Sequence, residues 1–567
     1  MTVTPRRLSV EEPILLSNVS NGSEVELSDS LEPADFHLAT GHSPRHASRH
    51  PGVATIHEGE ERGSVRSGSA SGSPRGSMAA HAKPLSLLPL VALIFFDVSG
   101  GPFGIEDAVS RGAPLLAVLG FIILPIIWSV PEALVTAELA TTFPENSGYV
   151  AWVTAAFGPF WGFQKGFYAW VSGVIDNAVY PVLFLEYLQA VWPVLESFWP
   201  RLIFLVGLNF ALSYLNYRGL HVVGEAAIGM TIFTLLPFLA MVLLGLPHVQ
   251  PSNWVKVDWD TVEWLPFLNV MFWCLNYWDS VSTLAGEVQN PTKTFPRALF
   301  GAVILVVCSY LLPLLVGLGV TSDPSAWQSG YLAVIGEKVG GSWLAWWIVA
   351  SAAVSQIGQF EAEMCSDSYQ LLGMSERGFL PSIFHHRSKY GTPTFGILAS
   401  SLGVMGLATF NFQTIVDLVN CAYCLGQLLE FVAFIWLRIK YPALIRPFRV
   451  PLPTWACALA LVPACILLLG LIVVPWVVGD LSVIIFTIVV VVVGAVLHPL
   501  LQAARHRGWL GFHDTTPTAF KEMLFAMYSP VDEDASDMRS SGSQEWQGLV
   551  GGGGGGAALP SYSAPRG

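Results

Sequence analysis

Charge is scarce in this chain. Only 12% of its 567 residues are Asp, Glu, Lys or Arg, while 53% are hydrophobic; a soluble domain carries roughly a quarter charged residues. A water-soluble globular protein is excluded, and a polytopic membrane protein remains. Basic clusters are also lacking. The formal net charge is −13, and no Lys/Arg run exceeds what loops and tails use, so nucleic acid has no electrostatic footprint here. Cysteine is sparse, at seven residues, all in apolar segments. Cys421 and Cys424 form one CxxC without a second pair, which reads as packing rather than metal or redox chemistry. No cofactor or metal is implied. An enzyme is disfavoured, because no Ser-His-Asp or metal-ligand arrangement occurs and His385-His386 sits in a basic loop. The first 80 residues are polar and rich in Ser, Gly and Arg, unlike a signal peptide.

Hydrophobic runs are what the chain has in abundance. Residues 1–83 and 503–567 read as disordered cytosolic tails, the second containing "GGGGGG", and they bracket a membrane domain over 84–502. Twelve apolar stretches lie between them, each near the roughly 20 residues a bilayer requires. They run over about 86–110, 113–140, 160–190, 201–217, 222–246, 264–287, 298–321, 343–371, 394–410, 413–437, 454–474 and 479–501. The fold class is therefore an all-α polytopic membrane protein of twelve transmembrane helices. Arg218, Lys293, Arg297, Arg377, Arg387, Lys389, Arg438, Lys440, Arg446 and Arg449 fall in even-to-odd loops, and Arg505 and Arg507 follow the last span. The positive-inside rule places both termini in the cytosol.

Two spans carry interruptions. The first reads as a half-helix, a break at Ser99-Gly100-Gly101-Pro102-Phe103-Gly104, and a second short half. Glycine weakens a helix interior and proline removes a hydrogen bond. The sixth has a polar centre, Trp273-Cys274-Leu275-Asn276-Tyr277-Trp278-Asp279-Ser280, between apolar flanks. In hydrocarbon, freed backbone groups are tolerated only where they line a cavity or find protein partners. One such break is a packing kink. Two breaks five spans apart, each beside a carboxylate, point to a transporter of two five-helix inverted repeats with discontinuous helices 1 and 6.

The motifs "GGPFGIE" (100–106), "TTFPENSGYVAWV" (141–153), "EVQNPTKTFPRAL" (287–299) and "SERGFLPSIFHH" (375–386) carry a resemblance. The chain is similar to the amino acid–polyamine–organocation transporters over about residues 85–500. "DVSGGPFGIEDAV", "DNAVYPVLFLEYL" and "WCLNYWDSVSTLAGEV" resemble its L-type branch, which includes plant polyamine uptake transporters. The resemblance implies a five-plus-five repeat with two further helices and proton-driven symport of spermidine, spermine and putrescine. Flat bis-cations such as paraquat follow the same route. The implied partners are polyamine, proton and bilayer, and the implied compartment is the plasma membrane, with Golgi or ER membrane as the alternative. Amino acid carriers of the family have a Gly-Ser-Gly turn in span one for the substrate carboxylate. Here Pro102-Phe103-Gly104 and then Glu106 occupy that window, which fits a substrate without a carboxylate. A cationic or neutral amino acid carrier remains the alternative within the class. A nutrient receptor that signals without transport is the alternative outside it.

Intramembrane carboxylates are functional candidates by default. Asp176 shares a helix face with Tyr180 at i, i+4. The resemblance implies that Trp273 stacks on substrate, that Asp279 matches an acid of arginine–agmatine relatives, and that Glu363, with Phe360 on its face, lies near a gate. With Gly100, Gly101, Gly104, Glu106, Asn276, Tyr277 and Trp278 these form the expected substrate site. Aromatic faces attract cations, and separated acids suit a linear polyamine. Many relatives keep a lysine in span five, where the aligned position here is about Pro237. The coupled proton is therefore expected on Asp279, Glu106 or Glu363. Glu132 and Glu138 lie six positions apart, on different helix faces. Glu186 and Glu430 are read as span-end acids in reach of water, and Asp367 as part of a cytosolic network.

Overall fold

A computed structural model describes residues 83, 85–189, 193–321, 323–407 and 412–513. Both proposed tails, apart from the few residues adjoining the membrane domain, and the side chain of Glu186 lie outside that set. Among the described residues the chain is helical, and its extended pairings are isolated single bridges. Apolar runs near 20 residues suit helices in lipid, where a helix satisfies each backbone N–H and C=O within the segment.

The helices are α1 (Leu87–Val98), α2 (Ile105–Leu124), α3 (Val130–Thr142), α4 (Tyr149–Phe157), α5 (Pro159–Gln189), α6 (Phe198–Tyr217), α7 (Leu220–Gly245) and α8 (Trp264–Trp273). They continue as α9 (Pro291–Val320), α10 (Tyr331–Gly340), α11 (Ser342–Glu376), α12 (Thr394–Leu407), α13 (Phe412–Lys440), α14 (Thr454–Val478) and α15 (Leu481–His506). Among the described residues eight helical segments are long and apolar enough to cross a membrane: Ile105–Thr142, Pro159–Leu185, Phe198–Tyr217, Leu220–His248, Pro291–Val320, Ile415–Lys440, Thr454–Val478 and Leu481–His506. The remaining expected spans fall short for legible reasons. Two are the broken ones, α12 is described only as far as Leu407, and α11 buries Glu361, Glu363, Asp367 and several Gln and Ser residues along its length. The short helices α4 and α10 are additions that the hydropathy pattern did not separate.

Both breaks are present. After α1 the backbone turns through Gly100 (φ +62°), Gly101 (φ +123°) and Gly104 (φ +88°), and a second kink at Ala113 (φ +63°) precedes Pro114. After α8 the chain unwinds at 274–279 and resumes as a 3₁₀ segment, Ser280–Glu287. Tyr277 sits there at φ +68°, a left-handed conformation that non-glycine residues adopt rarely and at a cost. A π-turn, Pro125–Ser129, joins α2 to α3. Trp128 Nε1 and Ser129 Oγ both donate to the carbonyl of Leu275, at 3.0 and 3.4 Å. The π-turn thus satisfies an acceptor exposed where α8 unwinds.

Burial sorts the helices. Among the long helices α5, α11 and α13 are the most buried, and α5 packs against both of the others. On α14 and α15, apolar residues such as Leu459, Ile466, Val477 and Val492 are exposed, as lipid-facing side chains require. Ion pairs gather near the ends expected to face the cytosol. Glu138 takes Arg438 and Arg446, Arg377 pairs with Glu145, and Arg387 reaches Glu287 at 2.9 Å and Glu376 at 3.7 Å. Arg438 is thus a buried structural partner at the end of α13 rather than a free loop charge.

Candidate functional site

The glycine-rich break brings backbone polar groups inward. The Ser99 and Gly100 amides both donate to Phe95 O at 2.9 Å, and the Gly101 amide donates to Ser99 Oγ at 3.1 Å. Ser355 Oγ donates to Gly100 O at 2.6 Å. Gly100 and Gly101 therefore build the turn from its backbone. Glu106 lies buried in the first turn of α2. A helix N-terminus favours an anion at this place.

Between the breaks, α5 and α11 lie three interior cavities that share walls. The first, about 30 Å³, is lined by Glu106, Asp107, Gly104, Trp273 and Gln359. The second, about 10 Å³, shares Trp273 and Gln359 and adds Asp97, Asp176, Tyr180 and Asn276. The third, also about 10 Å³, shares Tyr277 with the second and adds Asp279, Glu363, Asp367 and Tyr423. A vestibule of about 530 Å³, lined by Asp107, Arg111, Glu263 and Ser329, adjoins the first cavity at Asp107 and Ser329. A cavity near 10–15 Å³ admits about one water, so the interior is contracted in this state.

Each cavity carries acid. In the second, Asp176 is held by Trp273 Nε1, which donates to Oδ1 at 2.7 Å, and by the Tyr180 hydroxyl on Oδ2. Asp97 accepts from Ser366 Oγ at 3.3 Å. In the third, Glu363 Oε2 and Asp367 Oδ2 are buried without a hydrogen-bond partner among the described residues, as is the Asn276 amide of the second. Unpaired buried acceptors are costly and call for a donor. No lysine or arginine lines the three interior cavities among the described residues.

The sequence expectation is thus gathered largely in one place. Gly104, Glu106, Asp176, Tyr180, Trp273, Asn276, Tyr277, Asp279 and Glu363 all line this series. Trp278 and Phe360 do not. Trp278 is fully buried and donates to Leu275 O at 2.8 Å within its own loop, and Phe360 is packed in the core. Asp367 is a third-cavity residue rather than part of a cytosolic network. Glu361, on another face of α11, accepts from Asn216 at 2.8 Å.

Beside the third cavity sits a cluster that the sequence reading missed. Lys165, on α5, is 0% exposed. Its Nζ lies 2.8 Å from Asp279 Oδ2, 3.3 Å from Glu430 Oε2, 3.3 Å from Gln427 Oε1, and 4.3 Å from the centre of the Tyr149 ring. Glu430 is buried and ion-paired here, not at a wet span end. The Tyr423 hydroxyl lies 3.0 Å from Asp279 Oδ1, contacts Glu132 Oε1, and accepts the Tyr277 N–H at 3.1 Å. The signal existed in "GFQKGF", since a lysine within an apolar span is itself a functional flag.

The amino acid permease model matches residues 85–497. A probable polyamine transporter of Arabidopsis thaliana is 52% identical over 458 residues, covering 80% of this chain and 94% of the relative. The polyamine transporter PUT1 of Oryza sativa subsp. japonica is 53% identical over 453 residues (80% and 85%). The polyamine transporter RMV1 of Arabidopsis thaliana is 50% identical over 472 residues (82% and 96%).

Proposed function

The chain belongs to the amino acid permease family, and within that family we propose that it is a proton-coupled importer of polyamines: spermidine, spermine and putrescine, with paraquat as a flat bis-cation on the same route. It works by alternating access around the two broken helices. The twelve-span count comes from the eight long apolar segments, the two broken helices, polar α11 and α12. We read these as a five-plus-five inverted repeat with two further helices, in the plasma membrane, with cytosolic tails flanking the 84–502 domain.

One observation carries the substrate class. Three wall-sharing cavities each present carboxylates, with Trp273 and Tyr277 at the junctions and, among the described residues, no cationic side chain lining them. A linear polyamine matches this alternation, placing ammonium groups at acids and methylenes on aromatic faces. An α-amino acid would need a carboxylate site in the first break. There, Pro102 and Phe103 stand where amino acid carriers have a serine turn, and the buried carboxylate of Glu106 follows in the first turn of α2. The names of the relatives support the same class.

The test is uptake of radiolabelled spermidine into proteoliposomes, with and without an inside-alkaline pH gradient. Concentrative uptake that unlabelled spermine blocks and arginine leaves intact is the expected result. Blocking by arginine would move the chain to the amino acid carriers. Absence of uptake would favour a receptor.

A further inference from the structure

The polar cluster behind the third cavity is unbalanced. One ammonium, Lys165, meets three carboxyls: Asp279, Glu430 and, through Tyr423, Glu132. All four are at most 1% exposed. A buried ionised carboxylate without a partner is prohibitively costly and takes up a proton instead. The hydroxyl of Tyr423 shows where one such proton is. A phenol has one hydrogen to donate, yet both Glu132 Oε1 and Asp279 Oδ1 lie within hydrogen-bond distance of it. Its oxygen also accepts from the Tyr277 amide. Only one carboxyl can accept the phenolic proton, so the other must be an acid donating to the phenolic oxygen. Asp279 is held as an anion by Lys165 at 2.8 Å. Glu132 is then the acid.

From this geometry we propose that Glu132 carries the coupled proton and that Tyr423 relays it to Asp279. The proposal rests on the reading of the chain as a proton-driven importer. In the relay the Glu132 proton moves to the Tyr423 oxygen while the phenolic proton moves to Asp279. Glu132 becomes a carboxylate, Tyr423 is regenerated with one hydrogen, and Asp279 becomes neutral. Lys165 is left with Glu430 as its anionic partner. Asp279 is the residue on which the 3₁₀ segment Ser280–Glu287 begins, and it also lines the third cavity. Neutralising it loosens the broken helix from α5 where substrate lies.

Every element around the relay contributes a group that bears on it. α3 brings Glu132, α4 Tyr149, α5 Lys165, α13 Tyr423, Gln427 and Glu430, and the unwound segment Asp279. α11 brings Glu363 and Asp367 across the cavity. Glu132 itself follows the π-turn one helical turn earlier, whose Trp128 and Ser129 grip Leu275 in the same unwound segment. Single π-turns inside helices are frequent at functional sites. Proton arrival at Glu132 and movement of the break thus share one mechanical connection.

The experiment compares gradient-driven spermidine accumulation with spermidine–spermidine exchange at equal pH, in purified full-length protein in proteoliposomes. With one proton coupled, wild type accumulates about tenfold more per unit of imposed pH difference. Glu132→Gln is expected to keep exchange while its gradient response falls to about onefold, that is, no response; Tyr423→Phe, whose side chain also lines the third cavity, is expected to lose the gradient response whatever exchange it retains. A gradient response in Glu132→Gln equal to that of wild type would overturn the relay and leave polyamine transport standing. Loss of exchange in Glu132→Gln, with the protein monodisperse in detergent, would make Glu132 structural and also overturn it. Wild type that neither exchanges nor accumulates spermidine refutes the transport reading itself, and wild-type exchange without a gradient response refutes coupling.

Discussion

A single lysine redistributes the roles of the acids around it. Asp279 was an obvious substrate ligand from its place in the broken helix, but Lys165 and Tyr423 take up both of its oxygens. Removing the ammonium leaves buried carboxylates facing one another. Lys165→Met is expected to destabilise the protein by about 3–5 kcal/mol, the cost of breaking one partner from a buried pair. Thermal unfolding in detergent measures this, and adding Asp279→Asn should recover part of the loss. Among the remaining acids, burial ranks the candidates. Glu106 is 4% exposed and lines the first cavity, whereas Asp107 also faces the open vestibule. Losing a hydrogen bond to a charged group is worth about 1.5–3 kcal/mol. Glu106→Gln should therefore lower apparent spermidine affinity by about one to two orders of magnitude, with Asp107→Asn clearly milder. Competition uptake assays check the ranking. Sequence periodicity separated Glu132 from Glu138, and the structure sends them to different partners, Tyr423 and Arg438. It could not show that Glu132 meets a hydroxyl 291 residues away.

At the scale of elements, the first break depends on a glycine that has neither conformational nor spatial alternatives. Gly100 adopts φ +62°, and a Cβ there would lie 2.5 Å from Gln359 Cδ and 2.6 Å from Ser355 Oγ. Gly100→Ala should abolish uptake at matched membrane abundance, because the turn and its α11 contact must both shift. Gly470→Ala on α14 is the control, with nothing within 4 Å of the added methyl, and should transport normally. Both breaks were legible in the sequence because glycine, proline and clustered polar residues stand out in apolar segments. The short helices α4 and α10 were not. A helix of nine or ten residues gives too few turns to be distinguished from the loop around it.

At the scale of the whole molecule, charge holds the end that carries the basic loops together while polarity opens the interior. The segment after α15 docks on the loop that follows α11: Ser382 N donates to Gly511 O at 2.8 Å, and the His385 and His513 rings lie 4.2 Å apart. Burial, His513 and then Arg387 push the His385 pKa below its usual value. Arg505 also lies near this contact, 5.9 Å from the Phe512 ring. A cation with a depressed folded pKa favours the undocked form on protonation. Docking is then complete above the ordinary histidine pKa, about 6.5, and weakens as pH falls through and below it. Amide protection factors over residues 503–513, taken relative to intrinsic exchange at each pH, should be high at pH 7.5 and lower at pH 5.5. His385→Gln should flatten that difference.

Hydrophobic runs, their interruptions and the distribution of positive charge follow from local composition. The sequence alone therefore determined that the protein is a helical membrane protein, where its helices break and which acids stand beside the breaks. Those features have their causes within about 20 residues, the length a bilayer imposes. The pairing of acids with cations and hydroxyls was decided only by tertiary structure. Lys165 reaches Asp279 across 114 residues and Glu430 on α13, and Tyr423 reaches Glu132 across 291. In a low-dielectric interior a carboxylate's role is set by the partner that neutralises it, and that partner is chosen by packing.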